Sequence, residues 1–108
     1  MSFEILLSNN FKKEAKRLSK KYRSLKIELQ TLAFELSQFP TKGTALGNSV
    51  YKIRLAIESK NKGRSGGARV ITFVKMENEK VLLLSIYDKS EKDNLTEREI
   101  KKLLQDAL

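Results

Sequence analysis

The chain has no cysteine, no histidine and no tryptophan, and only one proline. Each absence removes a class of function. Without cysteine there are neither disulfides nor thiolate ligands, so the fold needs no oxidising compartment and a cytoplasmic setting is expected. Without histidine as well, His-dependent triads, imidazole acid–base pairs and ordinary zinc sites cannot be assembled. The acids are scattered singly among basic residues, with no D-x-D or H-x-x-x-H pattern to hold a metal. Enzymatic chemistry, if present, is expected to be metal-independent and free of cofactors. Long hydrophobic runs are missing too. The opening MSFEILLSNNFKK has an apolar stretch shorter than a signal-peptide core with no basic segment before it, and nothing approaches membrane-spanning length, so no membrane partner is expected.

What the sequence has in excess is positive charge. Lys and Arg number 22 against 13 acids, a formal +9 in 108 residues. That surplus attracts polyanions or an acidic protein and carries no information about fold. The length suits one domain over residues 1–108, and no repeat, low-complexity tract or boundary interrupts it.

Hydrophobic periodicity supplies the architecture. Phe3 to Leu7 reads as a short strand, and Ser8, Asn9 and Asn10 offer oxygens to cap a helix. Phe11, Ala15, Leu18 and Tyr22 then form an apolar stripe among lysines, and Leu25 to Leu36 continue a helical period that Phe39-Pro40 ends. An antiparallel helical pair hinged near residues 19–24 follows. Residues 40–49 have no apolar period and read as a connecting loop. Tyr51, Ile53, Leu55 and Ile57 alternate with Lys52, Arg54 and Ala56, a half-exposed strand. Arg69 to Lys75 and Val81 to Tyr87, joined by a polar turn, should pair as a hairpin. Thr96 and Glu99 make a capping box with Leu95 and Ile100 as its staple, starting a helix at about Glu97. The expected fold is α+β, order β-α-α-β-β-β-α. It has a small, mainly antiparallel sheet of about four strands, with helices on one face and the other partly open.

The open face is where chemistry is sought. Lys52 and Arg54, two apart on one strand, project together and can bind neighbouring phosphates. Arg69 begins the next strand and can reach the same patch. Tyr87 and Lys89 end the last strand, two apart, and the tyrosine can move a proton or stack on a base. Lys60, Lys62 and Arg64 in the loop ESKNKGRSGG suit docking of RNA or a ribosome. Plainer roles stand beside each of these. Lys52 and Arg54 also fit a solvated strand face, Arg69 an ion pair with Glu58 or Asp88, Tyr87 a core-edge aromatic with a wet hydroxyl, and the loop cations a solvated loop.

Three segments carry a family resemblance: YKIRLAI at Tyr51 to Ile57, KGRSGGARVITF at Lys62 to Phe73, and LLSIYDKSEKDNLTEREIKKLL at Leu83 to Leu104. With them the chain resembles bacterial toxins of the RelE/ParE superfamily, most closely the HigB-like branch of messenger RNA interferases. The resemblance implies a toxin of a type II toxin–antitoxin system that cuts mRNA on the ribosome and is neutralised by an antitoxin encoded alongside. It places Lys52, Arg54 and Arg69 at the family's basic positions and Lys89 at the lysine of its strand-end motif. The chain departs from RelE proper at Ser90, where an arginine is expected, and in having no tyrosine after Tyr87. The HigB-like branch has a tyrosine in its T/S-I-Y motif, which Tyr87 matches. Two other readings fit the charge and fold: a ParE-like inhibitor of DNA gyrase, and a basic nucleic-acid-binding module without catalysis.

Overall fold

Ser8 is the joint at which strand gives way to helix. A computed structural model describes residues 2–60 and 66–108. In it, strand β1 (Glu4–Leu7) leads through Ser8 into α1 (Asn9–Lys21), and the Ser8 hydroxyl accepts the Phe11 amide at 3.0 Å, satisfying one of the four orphan donors of the first turn. Helix α2 (Leu25–Gln38) follows directly. The leucines that gave α2 its period, Leu25, Leu32 and Leu36, are buried with Phe11 and Leu18 of α1 in one core.

The sheet has five strands rather than about four. Beyond β1 it comprises β2 (Thr44–Gly47), β3 (Val50–Leu55), β4 (Ala68–Lys75) and β5 (Lys80–Asp88), in the order β1-β5-β4-β3-β2. Only the β1–β5 pair is parallel. The extra strand, β2, lies inside the segment read as a loop. It is four residues long and exposed throughout, so no alternation marks it. Its turn to β3 is the two-residue Asn48-Ser49, both at positive φ, the arrangement that matches the twist of a hairpin. Gly43, at φ 106°, brings the chain in; a Cβ there would lie 2.5 Å from the Lys52 carbonyl oxygen.

The helices divide between the faces, which corrects the expectation that one face holds them all. Helices α1 and α2 cover the side reached by Ile53, Val70, Val74, Leu83 and Ile86. Helix α3 (Glu97–Ala107) lies on the opposite side, its Ile100, Leu103 and Leu104 packing with Leu95 on Ile71, Leu84 and Tyr87. Its capping box forms as expected, with Glu99 N–H donating to the Thr96 hydroxyl and Thr96 N–H to the Glu99 carboxylate.

A bulge connects these two cores. Ile71 pairs with Ser85, but Thr72 pairs with Leu83, which leaves Leu84 as an extra residue in β5. Side chains alternate faces along a strand, so 81, 83, 85 and 87 would otherwise point one way. The inserted residue reverses the parity: Val81, Leu83 and Ile86 face α1 and α2, while Leu82, Leu84 and Tyr87 face α3. Helix α1 meets β5 at this bulge, past the end of β1. The Ser8 hydroxyl and the Asn10 amide donate to the Leu84 carbonyl at 3.2 and 3.0 Å. The Glu14 carboxylate accepts the Ile86 amide at 3.2 Å and the Ser85 hydroxyl at 2.7 Å. Polar side chains thus take the ladder groups that a neighbouring strand would have used.

Candidate nucleic-acid interface

Strand register brings the predicted cations together. Arg54 lies directly opposite Arg69, and Arg69 directly opposite Tyr87, a row of three across β3, β4 and β5. Lys52 stands two pairs along, opposite Ile71, on the same face. Tyr87 joins the row only because the bulge turns it there. Two guanidinium groups opposed across a sheet repel, and an anion between them removes the repulsion.

Accessibility grades this row from edge to centre. Arg54 is exposed and Lys52 half-buried, so both can meet a phosphate from solvent. Arg69 is 5% exposed, and its guanidinium donates to the Ala68 carbonyl at 3.2 Å. The sequence left an ion pair with Asp88 open, but Asp88 lies on the other side of β5 and takes its bonds from Lys60, Tyr22 and Ser90. Tyr87 is also 5% exposed, buried beneath α3 with Leu95 and Leu103, so the wet-hydroxyl reading does not hold. Its hydroxyl has no hydrogen-bond partner among the described residues. Burial pushes the Tyr87 phenol up from its ordinary value, against the opposing pull of Arg69, so it stays protonated through neutral pH. A protonated phenol can donate to a leaving oxygen; it is a poor base. Lys89, two residues on, forms an ion pair with the exposed Asp93, and its hydrogen bond and then its charge hold that carboxyl below the ordinary value.

Lys60 has a different role from the docking one expected of it. Its side chain is 8% exposed and pairs with Asp88, which is fully buried. Its ammonium also donates to the Gly66 carbonyl at 2.8 Å and the Ser90 hydroxyl at 3.2 Å. Tyr22, at the end of α1, donates to the other Asp88 oxygen at 2.6 Å, and the Ser90 amide and hydroxyl bond at 2.9 and 2.7 Å. Burial alone would raise the Asp88 pKa, but the hydrogen bonds from Lys60, Tyr22 and Ser90 outweigh it and hold the carboxyl far below its ordinary range. Lys60 therefore fastens Gly66 and the end of β5 to α1. No local pattern announces this cluster, because Tyr22 and Asp88 are 66 positions apart. Lys62 and Arg64 lie outside the described residues.

Comparison with known proteins now bears on this geometry. No curated protein matches the chain. Among solved structures, the Escherichia coli toxin RelE, as a double arginine-to-alanine mutant in the free state, superposes with a TM-score of 0.63 at 21% identity, covering 99% of this chain and 95% of that one. The isolated E. coli RelE toxin gives 0.62 at 19% identity, over 96% and 98% of the two chains. The toxin–antitoxin complex RelBE2 from Mycobacterium tuberculosis gives 0.60 at 17%, over 82% and 99%. These likenesses establish the fold. The model of the RelE toxin of the RelE/RelB toxin–antitoxin system matches residues 5–107, nearly the whole chain, and so the chain belongs to the RelE toxin family.

Proposed function

We propose that this toxin is a metal-independent endoribonuclease that cuts mRNA on the ribosome and halts translation, and that a cognate antitoxin neutralises it. The observation that carries the reading is the Arg54–Arg69–Tyr87 row with Lys52 beside it. Cleavage without a metal requires a 2′-hydroxyl to lose its proton and attack phosphorus, while the bond from phosphorus to the 5′-oxygen breaks. Charge builds on the phosphate oxygens as this happens. Lys52 and Arg54 bind the backbone from the open side, and Arg69 stabilises the crowded phosphate. Tyr87, kept protonated by burial, is the proton donor to the departing 5′-oxygen. Lys89, freed from Asp93, completes the cationic edge.

The test is primer extension on ribosome-bound transcripts after brief induction. Arg54→Ala, at an exposed position, should remove the cleavage ends and the growth arrest while leaving the melting temperature unchanged. Arg69→Ala should do the same, with folding checked separately because its side chain is buried. Cleavage at the wild-type level in both variants would end the assignment.

A further inference from the structure

Metal-free cleavage needs a proton acceptor as well as a donor, and the cationic row supplies none. An ammonium or guanidinium has no lone pair to receive a proton, and the Tyr87 phenol keeps its own. The chain after β5 brings a carboxylate to the row instead. Lys89 extends the β4–β5 pairing by one residue, its amide donating to the Gly67 carbonyl at 3.0 Å, so its side chain falls on the Tyr87 face. The amides of Glu91 and Lys92 both donate to the Asp88 carbonyl at 3.0 Å, closing a turn that carries Asp93 back to Lys89. Lys89 engages only Oδ1 of Asp93. Among the described residues Oδ2 accepts no hydrogen bond, and the side chain is 91% exposed.

Asp93 stands within electrostatic reach of two members of the row. Held down first by the hydrogen bond and charge of Lys89, it is lowered by the Arg69 guanidinium as well. The Tyr87 phenol, raised chiefly by burial against the pull of Arg69, is raised further by Asp93. The neighbouring acids are engaged elsewhere. Asp88 faces the other side of β5 and takes its bonds from Lys60, Tyr22 and Ser90; Glu91 pairs with Arg17 and Lys21; Glu99 closes the capping box and pairs with Lys92.

We propose that Asp93 is the general base that removes the proton from the attacking 2′-hydroxyl. The assignment rests on the ribonuclease reading above and supplies the proton transfer that Tyr87 leaves open. The scissile phosphate takes Lys89 from Asp93, and an ionised carboxylate is left beside the ribose. Losing its cation and gaining an anionic neighbour both raise its basicity. Oδ2 then takes the 2′-hydroxyl proton, and the electron pair left on that oxygen forms the bond to phosphorus. The bond from phosphorus to the 5′-oxygen breaks, and the 5′-oxygen takes the Tyr87 proton. The products are a 2′,3′-cyclic phosphate and a 5′-hydroxyl; solvent takes the proton from Asp93 and returns one to Tyr87.

Single-turnover cleavage of ribosome-bound mRNA by the full-length toxin tests this with two substrates, the ordinary message and one carrying sulfur in place of the 5′-oxygen at the mapped cut. A thiolate leaves without being protonated, so the sulfur substrate needs the base and not the acid. Asp93→Asn, at an exposed position, should melt with the wild type, bind ribosomes at least as tightly, and cut both substrates about 10²–10⁴-fold more slowly. Tyr87→Phe should fail on the oxygen substrate and recover on the sulfur one. Cleavage by Asp93→Asn within about threefold of wild type, or faster, overturns the inference, because the carboxylate would then only screen Lys89. So does an Asp93→Asn defect that the sulfur substrate repairs, since Asp93 would then act on the leaving-group side. A wild type that cuts neither substrate ends the ribonuclease reading and this base with it. A wild type that cuts, beside an Asp93→Asn that cuts equally fast, strikes the base alone.

Discussion

The two faces of the sheet use the same residue types in opposite ways. On the α1–α2 face, charged and polar groups near the sheet are tied to one another. Asp88 is buried and answered by Lys60, Tyr22 and Ser90, and Glu14 takes the ladder groups at the bulge. On the α3 face, Lys52 and Arg54 are left open to solvent, two arginines are opposed, and the Tyr87 hydroxyl has no partner among the described residues. A lysine's meaning thus follows from its surroundings. Lys60 and Lys52 are both cations, yet one is a fastening within the fold and the other is available to a ligand. A cation buried against a carboxylate holds the structure together; cations that reach solvent, as Arg54 does, are placed to meet a ligand.

The comparison can be broken most forcefully at the fastening. Asp88→Asn leaves the Lys60 ammonium buried without its counter-charge, and this should cost about 3–5 kcal/mol of stability at pH 7, read from chemical denaturation. Because the folded-state pKa of Asp88 is depressed, its contribution is fully present above the unfolded value of about 4 and is lost as pH falls below it. The wild type should therefore lose stability on acidification below about pH 4, and the variant should show a shallower decline there. On the opposite face, Lys52→Ala with Arg54→Ala should lower the rate of cleavage by about 10²–10³-fold, roughly 2.7–4 kcal/mol of transition-state stabilisation. Its stability should change by less than about 0.5 kcal/mol, as at other surface sites. Ser8→Ala removes the α1 cap and the bond to the Leu84 carbonyl, and it should cost about 1 kcal/mol by the same denaturation measurement, with cleavage unaffected. Glu91→Ala breaks exposed pairs with Arg17 and Lys21 and should move the denaturation midpoint least of all, by an amount that shrinks further at high salt.

Much of this contrast was legible in the sequence, and the illegible remainder has a common cause. Periodicity and capping residues placed α1, α2, α3 and four strands, because those signals are local: Ser8 caps three residues ahead, and Thr96 and Glu99 cap each other. Alternation also put Lys52 and Arg54 on one face. β2 escaped notice because an edge strand exposed throughout has no alternation to show. The position of Tyr87 depended on Leu84 being an extra residue, which only the pairing with β4 reveals. The fate of Lys60 depended on Asp88 and Tyr22, distant in sequence, and its neighbours in the loop suggested docking instead. Pairwise contacts between remote residues decide such cases, and no window along the chain contains both partners.

One paired measurement tests the contrast most directly: melting temperature and cleavage of ribosome-bound mRNA, recorded for Lys60→Met and Arg54→Ala beside the wild type. Lys60→Met should melt well below the wild type and still cut RNA at temperatures where it remains folded; Arg54→Ala should melt with the wild type and cut at least a hundredfold more slowly. A stable Lys60→Met that no longer cleaves, or an Arg54→Ala that cleaves normally, would contradict the division of labour between the two faces.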